Sequence, residues 1–126
     1  KIKKAIRHKP KNVILPGYIA GDIIEGAYAS ADVFFFPTYE ETEGIVVLEA
    51  LASKCPVIVR DIGVYEEWLV HEKNVFKGKN NEEFKVLIDN IMNKTAVDNI
   101  ILIYRTEEIK KIGERLKEIY EIALKK

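Results

Sequence analysis

Four apolar residues in a row, Val33-Phe34-Phe35-Phe36, constrain this chain more than any other run in it. A strand with one wet face alternates apolar and polar side chains. A strand that is apolar throughout has both faces covered, the pattern of a central strand in a parallel sheet. Pro37 closes the run; Gly44 to Ser53 then reads as a helix and Val57 to Val59 as the next strand. Strands alternating with helices predict an α/β domain, a parallel sheet with helices on both faces.

The flanking segments extend that scheme. Lys1 to Lys9 reads as the end of a helix, with Ile2, Ala5 and Ile6 on one face, stopped by Pro10. Asn12 to Leu15 reads as a short strand closed by Pro16-Gly17. Asp22 is the expected N-cap of a helix over Ile23 to Ser30, with Ile23, Ile24, Ala27 and Tyr28 as its buried stripe. Val64 to Leu69 is a short helix, Val75-Phe76 a short edge strand, and Asn80 or Asn81 caps a helix running to about Met92. Asn99 to Tyr104 adds a helical piece. Thr106 opens a last helix in which Ile109, Ile112, Leu116 and Ile119 recur at helical spacing. Glu107 with Lys111, and Glu121 with Lys125, are spaced for i,i+4 pairs on its exposed face. The strand count is about four.

Length and charge narrow the function. The 126 residues make one domain. Twenty basic residues balance 20 acidic ones, so bulk charge points to no nucleic-acid partner. Cys55 is the single cysteine, which excludes an intramolecular disulfide and fits a reducing cytosol. Its place between a helix and a buried strand suits a small core residue better than a nucleophile. No apolar run approaches the roughly 20 residues that span a bilayer, and the opening residues lack a signal-peptide core. The chain begins with Lys rather than Met, which suggests an excised piece or a processed chain. His8 and His71 have no metal-ligand spacing, and no Asp-x-Asp pattern occurs, so nothing here requires a divalent metal or other cofactor.

The loop and helix after the apolar strand carry the chemistry. Glu41 lies in the loop; Glu49 follows after seven residues, about two turns into the helix. A strand, a loop and a helix N-terminus is where an α/β protein binds phosphate. Two carboxylates placed there can accept charge-assisted hydrogen bonds from the hydroxyl-rich ends of a nucleotide sugar. The backbone N–H groups of Gly44, Ile45 and Val46 can meet its diphosphate. Acids near a helix start also complement the dipole, by about 0.3–1 kcal/mol each, and Glu40 and Glu43 are read in that simpler way. Glu49, flanked by Leu48, Ala50 and Leu51, gains nothing from capping.

Glu41, seven residues, Glu49, then Ala50-Leu51-Ala52 and Pro56-Val57-Ile58 resemble the signature of retaining GT-B glycosyltransferases of family four. With Arg60-Asp61-Ile62 downstream, the stretch from Gly44 is most similar to bacterial diacylglycerol glucosyltransferases. The resemblance runs from about Asn12 to the C-terminus and implies a Rossmann-like sheet, the donor-binding half of a GT-B fold. It implies that Glu49 takes the ribose hydroxyls and that Glu41, the catalytic candidate, lies at the donor sugar close to the developing oxocarbenium charge. By the same resemblance Gly17-Tyr18-Ile19 lies beside the nucleobase. Tyr18 then stacks on uracil, offers its backbone to the base edge, or only packs its loop. The family's first strand, its diphosphate-gripping Arg and Lys, and its acceptor-binding domain would all precede Lys1. Residues 1–126 would thus be a partial C-terminal domain, inactive alone.

Two departures bear on binding. Thr42-Glu43-Gly44 replaces the family's Gly-aromatic-Gly, and Glu43 adds a negative charge near a diphosphate, so the isolated chain is expected to bind nucleotide poorly. Lys54 stands where the family carries Gly, which means either left-handed strain or a different helix ending. The implied activity is transfer of a hexose, glucose from UDP-glucose, to a lipid or glycan acceptor. The alternative is a non-catalytic nucleotide-binding or assembly module that associates through its open sheet edge or terminal helix, as a homodimer. Lys1, Lys3, Lys4, Arg7, Lys9 and Lys11, with no acid among them, form either a solvated face or a peripheral contact with an anionic membrane from the cytoplasmic side.

Overall fold

The computed structural model describes residues 7–42, 44–66 and 69–93 and, beyond them, Glu114, Lys117, Glu118 and Glu121. In chain order it forms α1 (Gly21–Ser30), β1 (Phe34–Phe36), α2 (Ile45–Ala52), β2 (Val57–Arg60), a 3-10 turn (Gly63–Tyr65), β3 (Phe76–Gly78) and α3 (Asn81–Met92). The strands make one parallel sheet in the order β1-β2-β3. Phe34 lies opposite Val57, and Ile58 opposite Phe76.

The faces follow from strand alternation. Phe34 meets Tyr28 of α1 edge-on, with ring centroids 5.2 Å apart, whereas Phe35 meets Phe84 of α3 at 5.1 Å. Neighbouring strand residues point to opposite sides, so α1 and α3 cover opposite faces of the sheet. Helix α2 packs on α1 and on both β1 and β2. Its Val47, Leu48, Ala50 and Leu51 are fully buried with Val57, Ile58 and Val59 of β2. Burying each such Val or Leu side chain contributes about 1.5–3 kcal/mol.

Three expectations give way. Among the described strands, Val33 to Phe36 is not central: β1 is an edge, and β2 is central and buried at Val57, Ile58 and Val59. An unbroken apolar run does not say which neighbours are paired, and Phe35 is still 42% exposed. Asn12 to Leu15 is not a strand, leaving three strands among the described residues where about four were expected. No described strand lies beside it, and Ile14 is 82% exposed. Asp22 is not the cap of α1: Ala20 is, with no side-chain cap bond, and Asp22 sits in the first turn. The expected stripe is only half-buried at Ile24 and Tyr28, and Ile23 and Ala27 are exposed.

Both ends of the other elements follow the predicted chemistry. Asn80 caps α3, its Oδ1 accepting from the Glu83 N–H at 2.9 Å, while Glu83 Oε2 accepts from the Lys79 N–H at 2.7 Å. Lys54 is left-handed, with φ +61°. The Cys55 N–H reaches the Ala50 carbonyl at 3.0 Å and the Lys54 N–H reaches that of Leu51 at 2.9 Å, the two bonds of a Schellman ending. In the segment expected as a helix over Val64 to Leu69, the described residues form a 3-10 turn that starts one residue earlier, and the Leu69 N–H bonds to the Tyr65 carbonyl at 2.9 Å; residues 67 and 68 lie outside the described residues. Arg7 is helical and His8 and Lys9 are not, so the expected N-terminal helix stops before Lys9; its residues 1–6, together with Asn99 to Tyr104, Thr106, the pair Glu107–Lys111 and Lys125 of the pair Glu121–Lys125, lie outside the described residues. Lys117 does lie 4.0 Å from Glu121, one turn away.

Candidate functional site

The loop from Pro37 to Gly44 joins β1 to α2 at the C-terminal edge of the sheet, and two anchors shape it. Gly44 is one of them. It caps α2 in the left-handed region at φ +68° and is buried. A Cβ there would lie 3.0 Å from Tyr65 Cε1 and 3.4 Å from its hydroxyl. Glycine is needed both for its dihedral and for its lack of a side chain. The helix's own bonds start with the N–H groups of Val47 and Leu48, both donating to the Gly44 carbonyl. The Ile45 and Val46 amides therefore belong to the first turn, whose N–H groups have no partner within the helix.

Tyr65 is fully buried beneath this corner. Burial pushes its phenol above the ordinary value; the Thr38 hydroxyl pulls the other way, and the Glu41 carboxylate adds to the rise. Glu41 thus lies close enough to Tyr65 for its charge to be felt. It is half-buried, and its Oε1 accepts from the Thr42 N–H at 3.2 Å. Glu43 lies outside the described residues.

Glu49 is the fifth residue of α2, just over one turn in instead of two, because the helix starts at Ile45. Its half-buried side chain lines a cavity of about 570 Å³ between α1 and α2, together with Gly21, Ile24, Glu25, Tyr28 and Ser53. Burial, and next the Glu49 carboxylate, push the Tyr28 phenol above its ordinary value. Glu41 and Tyr18 do not line this cavity. Tyr18 is 97% exposed, so it does not pack its own loop. The structure therefore places Gly44, Ile45, Val46 and Glu49 on one helix, Glu41 in the loop that leads into it, and Tyr18 just ahead of α1.

The model of the family Glycosyl transferases group 1 matches residues 2–117. The chain belongs to that glycosyltransferase family. It is 51% identical over 127 residues to a processive diacylglycerol alpha-glucosyltransferase of Acholeplasma laidlawii, covering 98% of this chain and 38% of the relative. It is 33% identical over 86 residues to an alpha-galactosylglucosyldiacylglycerol synthase of Streptococcus pneumoniae, covering 68% of this chain and 22% of the relative. The fold is similar to that of HepE from Anabaena, solved in complex with UDP-glucose, with a TM-score of 0.65 and 20% identity over 95% of this chain and 35% of HepE. This glycosyltransferase chain thus spans well under half the length of the relatives it matches. Among its described residues, no helix is long and apolar enough to cross a membrane.

The sequence alone assigns the histidines no role and uses Arg60 only as part of the resemblance, without a contact. His71 fastens β3, its Nδ1 accepting from the Lys77 N–H at 2.8 Å. Arg60 bonds the carbonyls of Pro37 and Lys79. A lone Arg after an apolar strand has no periodicity by which to be found.

Proposed function

We propose that residues 1–126 are the C-terminal, donor-binding part of a glycosyltransferase whose first strand and acceptor-binding domain precede them. The whole enzyme transfers glucose from UDP-glucose, with retention, to diacylglycerol or a related lipid or glycan. One observation carries the reading: Glu49 opens into the cavity between α1 and α2 from the helix whose first turn Gly44 presents. In this reading Glu49 accepts hydrogen bonds from the ribose hydroxyls, and the amides of Gly44, Ile45 and Val46 receive the diphosphate at the positive end of α2. Glu41 is the catalytic residue at the donor sugar, where a carboxylate stabilises developing positive charge. Tyr18, exposed, stacks on the base. No metal or other cofactor is required.

The names of the two lipid glycosyltransferases support the lipid acceptor, and UDP-glucose in the HepE complex supports the donor. A lipid acceptor places the enzyme at the cytoplasmic surface of a membrane, with Arg7, Lys9 and Lys11, all exposed, available to anionic headgroups. The chain alone is inactive, because the acceptor contacts and the diphosphate cations lie upstream. A second reading draws on β1, which pairs only with β2 among the described residues: its other edge accepts a strand from a second copy. A nucleotide-independent dimer in sedimentation would favour that reading.

The test is a UDP titration followed by NMR, comparing wild type with Glu49→Ala. Shifts confined to the surroundings of Tyr18, Gly44 and Glu49, and lost in the variant, are expected. If neither this chain nor the longer parent protein responds to millimolar UDP, the donor-site reading fails. The anomeric coupling of the transferred glucose decides retention: a β product from UDP-α-glucose would exclude it.

A further inference from the structure

Four contacts converge on the guanidinium of Arg60, the last residue of β2. Nε donates to the Pro37 carbonyl at 3.1 Å and Nη1 to the Lys79 carbonyl at 2.9 Å. The guanidinium carbon lies 3.9 Å from the centroid of the Tyr39 ring and 5.1 Å from that of Phe84. Pro37 and Tyr39 belong to the loop that carries Glu41, whereas Lys79 and Phe84 belong to the start of α3. One side chain on the central strand therefore ties together the segments that follow both of its neighbours.

The duty suits arginine specifically. A planar guanidinium can donate along two in-plane directions and stack its face on a ring, whereas an ammonium is a point charge with no face. Both bonds go to main-chain carbonyls, not to a carboxylate, so the group fixes backbone. Tyr39 is 77% exposed, with the guanidinium stacked on its ring. The loop is consequently pinned at Pro37 and Tyr39 by Arg60 and at Gly44 by Tyr65, with Glu41 between the two pins.

We infer that Arg60 is a positioning residue for Glu41, setting the reach of the loop toward the donor sugar. The inference rests on the reading of Glu41 as the carboxylate at that sugar. None of these four contacts involves Glu49 or the first turn of α2, so donor binding is expected to be largely independent of them.

The experiment measures kcat and KM for UDP-glucose in the full-length enzyme, with thermal unfolding alongside. Arg60→Gln and Arg60→Lys are expected to lower kcat about 10- to 100-fold, since a displacement near 1 Å can cost that much. KM should move less than about threefold, because Glu49 and the α2 amides stay in place. Tyr39→Leu, at an exposed position, carries the test if the Arg60 variants do not fold; it should lower kcat several-fold, again without raising KM. Unchanged kcat in Tyr39→Leu, or full rescue by Arg60→Lys, overturns the inference. So does a loss seen wholly in KM, which would make Arg60 a donor contact. Glu41→Gln is the control for the underlying reading: if it transfers glucose at the wild-type rate, the assignment of Glu41 fails, whatever Arg60 does.

Discussion

Replacing Gly44 by alanine should be among the most damaging small changes in the chain, and the structure separates its two causes. The first is backbone. A non-glycine residue in the left-handed region costs roughly 1–2 kcal/mol, offset by about 0.4–1 kcal/mol from the smaller freedom of the unfolded chain. Lys54 isolates this first part with the sign reversed. It is left-handed at φ +61° and exposed, so Lys54→Gly should stabilise by about 0.5–1 kcal/mol. The second cause is packing. The new Cβ at residue 44 would stand 3.0 Å from Cε1 of Tyr65, a ring with no exposed surface. Forcing such a ring to shift costs about 1–3 kcal/mol. Gly44→Ala should therefore lose about 2–4 kcal/mol, two or more times the gain from Lys54→Gly. Urea unfolding of both variants, followed by far-UV circular dichroism, measures the two quantities on one scale, provided the slopes match wild type. If Gly44→Ala loses no more than Lys54→Gly gains, the packing part is absent and Tyr65 does not form the floor of the helix start.

Other outcomes are as definite. Burial pushes the Cys55 thiol up to about 11 from its ordinary 9.0. The folded state holds that proton more tightly, so the stability it brings is complete below about pH 9 and is lost as the pH rises through 11; Cys55→Ala should flatten that part of the pH–stability curve, and an unchanged slope would refute the assignment. Asn80→Ala removes the α3 cap and should cost about 1 kcal/mol by urea unfolding. Tyr18→Ala should leave stability within about 0.5 kcal/mol, since the ring is exposed, yet weaken UDP binding by about 1–3 kcal/mol in calorimetry if the ring stacks on the base. Equal UDP affinity in the two proteins would remove Tyr18 from the site.

How much of this was legible beforehand depended on the range of the interactions involved. The α3 boundary was legible because Asn80 and Glu83 act within one turn. The left-handed geometry at Lys54 is one of the two endings expected for α2, because the family that the chain resembles carries glycine at that position. Phe34 to Phe36 was recognised as a strand and misplaced as central, since pairing depends on which other strands are present. Asn12 to Leu15 fails as a strand for the same reason: apolar residues propose a strand, but only a neighbour makes one. Glu41 and Glu49 are proposed through a motif whose spacing reflects one helix and the loop before it. Arg60 escaped because its partners, Pro37 and Lys79, stand 23 and 19 residues away.

Strands β1 and β3 never pair with each other; each is held through β2. Four residues, Val57–Arg60, are thus the shared mediator of every inter-strand ladder in the described sheet. Losing them frees both outer strands at once, so the sheet has no route to opening its middle by stages. In native-state hydrogen exchange the amides of β2 should report a single, large opening free energy close to that of global unfolding. Arg60 stands at the end of that same strand. The loop bearing Glu41 is therefore moored to the part of the molecule least able to breathe, and its motions should be those of a short tether on a rigid post.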